Sequence, residues 1–342
     1  MLYKMDMLCM DSSIHSVVNI RLPLKNYQFK PRHRKLLRRN DTKFSSRIGK
    51  VVINAEKEKL YQAHKNRFKG FIHATLREYL DASKGSTVFD TREVCIYSNS
   101  KLVAVSYIDL GSKSVASLLC LFDQEYTSAS LGIYAMLKEI EFCMEMGYKL
   151  YYPGYILDNQ VVFNYKLSLG VMEYYNANKR WALLNLDAIK TSPASNYKKS
   201  MAQIGTSLES AGIEFKPWIY PYFSMGYMGY WNVDFLKYPL VYEISYGYDG
   251  SPQLLLAYDN DLKKFMLMTS QIAHSHQHLI NMEVSSEFNT EANYLLHLLK
   301  VSNLLCRTSS SKQMTLVLQG IVNKAPQGLS QSSLYLLESS EV

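Results

Sequence analysis

A change of apolar periodicity in the middle of the chain constrains the fold more than any other feature of the sequence. Residues 93–98 and 102–110 have the composition of strands and flank an Asn-Ser turn, which predicts a β-hairpin. The apolar run 115–122 predicts a further, central strand. Apolar residues then recur at helical spacing over 131–146, and Gly147 is a typical helix terminator. Strand periodicity therefore gives way to helix periodicity directly after a central strand.

The residues that follow return to strand periodicity. Residues 149–155 predict a strand broken by a Pro-Gly pair, and a short helix is predicted at about 158–168. Residues 171–176 and 180–186 predict a final hairpin. This order of elements predicts a mixed α/β (α+β) layer in which a helix N-terminus points from a central strand.

The length of 342 residues is typical of two domains or of one enlarged domain, and the element order suggests where the boundaries fall. We expect a basic N-terminal part at 1–92, an α/β core at 93–187 and a C-terminal α+β extension of unknown role at 188–342. Outside the core the pattern predicts an irregular arm at 1–24, a short strand at 51–54, a helix at 55–82, a linker at 188–200, a strand hairpin at 252–268, a helix at about 288–305, a strand at 314–322 and a frayed C-terminal tail.

The positive charge of the chain is concentrated in one short window. Residues 21–50 contain eleven Lys or Arg and one acid, so they carry +10. Because the whole chain carries +8, the other 312 residues carry −2. A helix predicted from Pro31 to Asn40 lies in this window and presents Arg32, Arg34, Lys35, Arg38 and Arg39. The cluster predicts a phosphate-binding surface, with a solvated charged helix face as the alternative.

Several classes of protein lack support in the sequence. No apolar run is long enough to span a membrane, and Lys4 and Asp6 interrupt the start, which does not resemble a secretory signal. Five cysteines lie far apart, which fits a reducing compartment and argues against a disulfide framework or a zinc site. The alternating histidines of 274–278 are not a metal pattern. Motifs of serine hydrolases, P-loop nucleotidases, HExxH metalloproteases and dinucleotide-dependent enzymes are absent. We expect a cytoplasmic monomer with no metal and no membrane partner.

Three places in the predicted core carry residues that could do chemistry. Ser130, Leu131 and Gly132 open the central helix, where free N–H groups and the helix dipole favour an anion; a plain capped helix is the alternative. Asp109 ends a strand and could accept a proton from an amine, or could cap a turn. Lys166 could contact a carboxylate or phosphate, or could be a surface lysine.

Together these residues resemble a known family. Residues 130–181 are similar to the C-terminal domain of the N-end rule aminoacyl-tRNA–protein transferases, 101–109 to its preceding hairpin and 21–40 to its basic segment. The likeness covers about residues 15–185. The matching positions are Ser130, Leu131, Gly132, Tyr134, Leu137, Glu139, Ile140, Gly147, Gly154, Tyr155, Tyr165, Lys166 and Trp181.

The resemblance implies a fold, an activity and a set of site residues. It implies a GNAT-like acyltransferase domain that moves an amino acid, arginine before leucine, from charged tRNA to the N-terminal amine of an acceptor protein, with Asp or Glu as the acceptor residue. Aminoacyl-tRNA is then the co-substrate, and no other cofactor is implied. The implied catalytic residues are Asp109, Tyr155, Tyr165 and Lys166; the implied substrate-binding residues are Ser130, Leu131, Gly132, Glu139 and Gly154; the implied tRNA-binding residues are Arg32, Arg34, Lys35, Arg38 and Arg39.

The sequence also departs from the family pattern. The N-terminal cysteine cluster of the family is absent, with Ile14 and Val17 in two of its positions, and residues 31–34 replace the usual Ser-x-x-Gln. Two other functions therefore stay open at this point. One is a GNAT-like N-acyltransferase that uses a thioester donor, although no pyrophosphate loop is evident. The other is a non-catalytic RNA-binding protein.

Overall fold

The structure is a computed structural model of the chain. It describes residues 7–10, 13–65, 67, 71–80, 89–158, 162–176, 178–187, 189, 192–227, 232–245, 253–280, 282–284 and 293–324. The described residues fall into two compact units. The first is built mainly from Val17–Lys190, and the second from Met7–Ser16, Thr191–Asn281 and the described residues after 287.

The large sheet contains the predicted central strands. Its strands are β1 (Met7–Met10), β2 (Ser13–Pro23), β3 (Ser45–Lys50), β5 (Asp90–Ser98), β6 (Lys101–Leu110), β7 (Ser114–Phe122), β8 (Leu150–Leu157), β9 (Glu173–Tyr175) and β10 (Trp181–Leu183). Their order is β10-β9-β2-β8-β7-β6-β5-β3, and β1 pairs with the start of β2. The β7–β8 pair is parallel and the other pairs are antiparallel. A separate short pair joins β4 (Phe71–His73) to β15 (Met282–Val284). The sheet is therefore mixed, which agrees with the predicted α/β (α+β) class.

Helices cover both faces of this sheet. They are α1 (Pro31–Asp41), α2 (Ala55–Lys65), α3 (Leu76–Tyr79) and α4 (Leu131–Glu145). On one face, α4 buries Leu137 and Ile140 against strand residues such as Ile108. On the other face, Tyr61 of α2 packs into a cluster with Tyr107. We call these the α4 face and the α2 face of the sheet.

The second unit is a smaller α+β layer. Five antiparallel strands lie in the order β11 (Phe215–Ile219), β12 (Leu240–Ile244), β13 (Gln253–Asp259), β14 (Lys264–Ile272) and β16 (Leu299–Thr308). Helices α5 (Pro193–Ser210) and α6 (Ser311–Lys324) pack against each other and against this sheet. No helix in the described residues is long and apolar enough to cross a membrane.

The structure confirms the predicted α/β core. The hairpin, the central strand, the helix after it and the strand that follows form β5, β6, β7, α4 and β8. The predicted hairpins at 171–186 and 252–268 form β9–β10 and β13–β14. Of the predicted short helix, Asn164–Ser168 forms a 3₁₀ segment, and 159–161 lie outside the described residues.

In the N-terminal part, the helix predicted from Pro31 to Asn40 is confirmed as α1, whereas three other predictions are wrong. The arm at 1–24, expected to be irregular except for an extended end at 20–24, contains β1 and β2, because residues of β2 such as Val18 and Ile20 are buried beside β8. The expected strand at 51–54 is irregular, and β3 lies just before it. The long helix predicted at 55–82 stops at Lys65, and the capping box between Thr75 and Glu78 starts the separate α3. Apolar residues of the predicted helix, such as Leu60, Ile72 and Leu76, therefore belong to three short elements rather than to one helix.

Three C-terminal predictions also fail, each because a local helix signal was overlooked or overcounted. The expected linker at 188–200 contains the start of α5, where the side chain of Ser192 accepts a hydrogen bond from Ser195 N and Pro193 occupies the first turn. The expected strand at 314–322 is part of α6, whose buried Met314 and Leu318 are four residues apart. The expected helix at 288–305 is strand β16 over its later part, while 285–292 and the tail lie outside the described residues.

Candidate functional site

The parallel strands β7 and β8 separate part-way along their length. They pair only where Ser114, Val115 and Ala116 face Leu150, Tyr151 and Tyr152. Both strands are described in full and run on to Phe122 and Leu157 without further pairing. Edge groups of two adjacent strands are thereby left without sheet partners in the middle of a sheet. We call this opening the β7–β8 gap.

A β-bulge shapes the β7 side of the gap. In the register with β6, Tyr107 faces Leu119 and Ile108 faces Ser117, so Leu118 is an extra residue without an opposite partner. The hydroxyl of Tyr79, on α3, lies 3.5 Å from the carbonyl oxygen of Leu118. Bulges re-aim backbone groups, and this one does so just past the last β7–β8 pair.

Lys166 reaches the β8 side of the gap. Its side chain is buried, and its Nζ donates to the carbonyl oxygen of Tyr155 at 3.0 Å. Three aromatic rings surround the nitrogen, with centroid distances of 4.8 Å for Phe163, 5.1 Å for Tyr155 and 5.9 Å for Tyr165. Gly154, within β8, has a φ of +97°, and a Cβ there would lie 3.2 Å from Nζ, so glycine suits this backbone conformation and leaves room for the ammonium.

We call Lys166 and the three rings around its Nζ the Lys166 cage. The surroundings in this cage disfavour an isolated charge. Burial lowers the pKa of Lys166 to about 8, and no carboxylate among the described residues lies within ion-pair distance of its Nζ. Burial also raises the pKa of Tyr155, and raises that of Tyr165 to about 12 with smaller contributions from Cys120 and Glu139. The ring of Tyr165 is half-exposed. The cage therefore holds a cation that has no carboxylate partner among the described residues and lies beside the half-exposed Tyr165. Such a cation is suited to an anionic ligand.

Glu139 lies under the closed end of the gap, on α4. It is fully buried and accepts hydrogen bonds from the hydroxyls of Ser106, at 2.5 Å, and Tyr151, at 2.6 Å. Burial raises its pKa to about 7 despite these bonds and a further one from Ser117. Its assignment to substrate binding stays a prediction, and its enclosed position favours an internal role.

Asp109 lies on the opposite face of β6 from Ser106, which binds Glu139. Along β6, Ser106 and Ile108 point to the α4 face, so Tyr107 and Asp109 point to the α2 face. There Asp109 accepts a hydrogen bond from the hydroxyl of Thr91 at 2.6 Å. Its register partner on β7 is Ala116, where β7 and β8 are still paired. A catalytic role for Asp109 stays a prediction without support from this placement.

The start of α4 differs from the predicted serine cap. Ser130 has a left-handed conformation, with φ of 54°, and makes no side-chain capping hydrogen bond. It ends the preceding 3₁₀ segment Gln124–Ala129 instead. Leu131 is buried, and Gly132 has space for a Cβ, which would meet a ring carbon of Phe122 at 3.7 Å. Gly132 is thus not required by packing within the chain.

The basic helix α1 divides its residues between a buried face and a cationic face. His33, Leu37 and Asn40 are its buried residues. The five predicted tRNA-binding residues are all exposed: Arg32, Arg34, Lys35, Arg38 and Arg39. The opposite face packs against α4, so the cations are presented by a helix whose orientation is held by the core.

Both ends of α1 contact the segments that carry site residues. Arg32 donates to the carbonyl oxygen of Ser168, two residues after Lys166, at 3.2 Å. Arg39 donates to the carbonyl oxygen of Ala129 at 3.3 Å, and the side chain of Asn40 donates to the same oxygen at 2.8 Å. The cationic surface is therefore tied to the Lys166 segment at one end and to the start of α4 at the other.

Some residues of this site were not predicted. Phe163 completes the Lys166 cage, and an aromatic residue so close in sequence to the predicted Tyr165 and Lys166 was an available signal. Ser106, Ser117 and Tyr151 surround Glu139, and only their placement on three adjacent strands reveals them. Asn164 has a buried side-chain oxygen with no hydrogen-bond partner among the described residues, which makes it a candidate acceptor for a ligand amine. The described residues contain no cluster of potential metal ligands.

The part of the chain that contains the β7–β8 gap is similar to known proteins. Residues 50–176 match the family profile described as "Arginine-tRNA-protein transferase, C terminus", which spans β5 to β9 together with α2 and α4. The predicted resemblance to the aminoacyl-tRNA–protein transferases is confirmed. The match includes the predicted Asp109, Ser130–Gly132, Glu139, Gly154 and Lys166 positions, and α1 lies before it.

Curated relatives align over a similar share of the chain. The aspartate/glutamate leucyltransferase of Leptospira interrogans is 26% identical over 156 residues, which are 44% of this chain and 60% of that protein. That of Helicobacter hepaticus is 26% identical over 161 residues, which are 44% of this chain and 64% of that protein. The alignments thus span somewhat under two thirds of these relatives. The solved structure of L-PGS from Bacillus licheniformis covers 41% of this chain and 45% of its own, at 13% identity and a TM-score of 0.31, and supports no conclusion.

Proposed function

We propose that this protein transfers an amino acid from charged tRNA to the N-terminal amine of an acceptor protein. The observation that carries the proposal is the attachment of α1. Its exposed cations lie between the Lys166 segment, contacted by Arg32, and the start of α4, contacted by Arg39. A polyanion bound on α1 would therefore have its end beside the β7–β8 gap.

The reaction requires little covalent catalysis by the protein. The acceptor α-amine attacks the carbonyl carbon of the aminoacyl ester, an amide bond forms, the ester C–O bond breaks, and the ribose hydroxyl leaves with a proton that balances the one lost by the amine. Because an amine is a good nucleophile, positioning of the two substrates supplies much of the acceleration. The uncapped N–H groups at the start of α4 are suited to the ester carbonyl or its developing oxyanion.

Lys166 is suited to the acceptor's acidic side chain. Its ammonium is enclosed by aromatic rings and donates a hydrogen bond to a backbone carbonyl oxygen. A carboxylate from an N-terminal Asp or Glu would supply the missing counter-charge and gain a charge-assisted hydrogen bond. The aligned relatives are named for aspartate/glutamate acceptors and leucine, while the family profile is named for arginine, so both donors are candidates.

The direct experiment measures transfer of labelled Arg and Leu from charged tRNA to peptides that begin with Asp, Glu or Ala. We expect label in the Asp and Glu peptides and little in the Ala peptide. The same peptides with acetyl-coenzyme A test the thioester-dependent alternative. Binding of charged tRNA without transfer to any peptide would overturn the proposal in favour of a non-catalytic RNA-binding protein.

A further inference from the structure

One buried carboxylate is bonded to three adjacent strands at the point where the sheet opens. Glu139 accepts hydrogen bonds from Ser106 on β6 and Tyr151 on β8, and Ser117 on β7 supplies a further hydroxyl. The last β7–β8 pair is Ala116 with Tyr152. Ser117 and Tyr151 are the neighbours of these two residues, so the carboxylate joins both strands at the closed end of the gap.

Packing alone does not require a carboxylate at position 139. A carboxylate in a fully buried position costs free energy that an apolar side chain of similar size would not. Glu139 nevertheless lies in a face otherwise filled by residues such as Leu137 and Ile140. Its hydrogen bonds are directional and connect strands that are not hydrogen-bonded to each other beyond this point. An apolar residue could fill the space but could not hold the two strands at a set distance.

The titratable groups that face Glu139 do not compete with it for a proton near neutral pH. They are the phenols of Tyr151 and Tyr165 and the thiols of Cys120 and Cys143, and burial raises the pKa of each of them. The carboxyl group of Glu139 is therefore the group that changes charge in this cluster.

We propose that Glu139 is a positioning residue that sets the opening of the β7–β8 gap and, through β8, the place of Lys166. Strand β8 connects the two residues. The hydroxyl of Tyr151 donates to Glu139, and four residues further along β8 the carbonyl oxygen of Tyr155 accepts a hydrogen bond from Lys166 Nζ. Without the hydrogen bonds to Glu139, β8 could move relative to β7 and displace the cage from the start of α4. The catalytic consequence rests on the proposed function, whereas the structural consequence does not.

The test compares Glu139→Ala and Glu139→Gln with Glu141→Ala, a partly exposed glutamate on the same helix that pairs with Lys138. The structural readout is alkylation of Cys120, on β7, relative to Cys306 in the second unit, resolved by peptide mass spectrometry. The catalytic readouts are kcat for transfer and Kd for charged tRNA.

Glu139→Ala should raise the Cys120/Cys306 alkylation ratio and lower kcat by about tenfold or more, the effect expected for one buried hydrogen bond to a charged group, with Kd for tRNA unchanged. Glu139→Gln keeps an acceptor and adds a donor, so it should restore most of both values. Glu141→Ala should resemble wild type. If Glu139→Ala does not fold, Tyr151→Phe replaces it, because that change removes only the β8 hydrogen bond and should also raise the ratio.

An unchanged Cys120 ratio in Glu139→Ala, or in Tyr151→Phe as its replacement, would overturn the proposal. An equal decrease of kcat in Glu139→Gln and Glu139→Ala would also overturn it, since charge rather than strand contact would then matter. A raised ratio in a protein whose wild type transfers nothing would support the positioning role while contradicting the proposed function.

Discussion

The Nζ atom of Lys166 lies 3.0 Å from the carbonyl oxygen of Tyr155, inside a cage of aromatic rings and beside a glycine that leaves room for it. A lysine held in this way has given up most of its hydration without gaining a carboxylate partner among the described residues. Burial therefore lowers its pKa to about 8. An incoming carboxylate would offset that cost, and this contact is therefore the centre of the proposed acceptor site.

Lys166→Met should separate acceptor recognition from tRNA binding. The change keeps the length and packing of the stem and removes only the ammonium. We expect transfer to an Asp-initiated peptide at subsaturating concentration to fall about tenfold to a hundredfold, the worth of a hydrogen bond to a charged group. The Kd for charged tRNA should stay the same. Lys149→Met, at an exposed lysine in the same unit, is the matched control. Equal transfer by wild type and Lys166→Met would assign Lys166 a purely structural role.

Replacement of Arg34, Lys35 and Arg38 by alanine should weaken tRNA binding. These three cations are exposed and do not make the contacts with the Ser168 and Ala129 carbonyls that Arg32 and Arg39 make. The slope of log K against log salt should become shallower by about one unit for each phosphate that is no longer neutralised. The control removes the same charge from the second unit, at the exposed Lys199, Lys263 and Lys312. A salt dependence that matches wild type would exclude α1 as the phosphate-binding surface.

Gly132→Ala tests the start of α4 without disturbing the fold. The added Cβ would make an ordinary contact with Phe122 at 3.7 Å, and removal of a helical glycine stabilises a helix by about 1 kcal/mol. We therefore expect a thermal midpoint equal to or above that of wild type together with reduced transfer, because the methyl group would stand where the ester must approach. Gly320→Ala on α6, where a Cβ meets nothing within 4 Å, should gain stability and keep full transfer. Full transfer by Gly132→Ala would remove this helix start from the site.

The stability of the protein should depend on pH through Glu139. Burial raises the pKa of its carboxyl from 4.5 to about 7 in the folded chain, so the folded state binds more protons than the unfolded state between these values. The free energy of unfolding should consequently fall as the pH rises from 4.5 to 7, by up to about 3 kcal/mol for this group. Glu139→Gln cannot ionise and should remove this contribution. Denaturant titrations of both proteins at about pH 5 and about pH 7.5 measure the difference; parallel changes in the two proteins would contradict the prediction.

Local patterns were sufficient for part of the fold. The hairpin β5–β6, the strand β7 and the helix α4 have periodicities long enough to be read without tertiary context, and they formed as predicted. The cations of α1 were also evident, because charge density along the chain needs no structure to be counted. The predictions for the N-terminal and C-terminal parts failed where short elements follow one another closely along the chain. Within 55–82, Leu60, Ile72 and Leu76 lie in two helices and a strand, and the strand β4 exists because a segment distant in sequence, β15, pairs with it.

The sequence by itself determined the α/β core, the basic window and, through the family resemblance, the positions of Lys166 and Gly154. Only the tertiary structure decided what those residues contact. The alternation of β6 turns Asp109 to the α2 face, away from Glu139, and the end of pairing between β7 and β8 opens the gap. Burial is a property of the folded chain, so no pattern of residues could have shown that Lys166 is enclosed by aromatic rings or that Glu139 joins three strands. Desolvation and directional hydrogen bonds arise from long-range contacts, and these contacts change an ordinary lysine and an ordinary glutamate into groups with shifted pKa values.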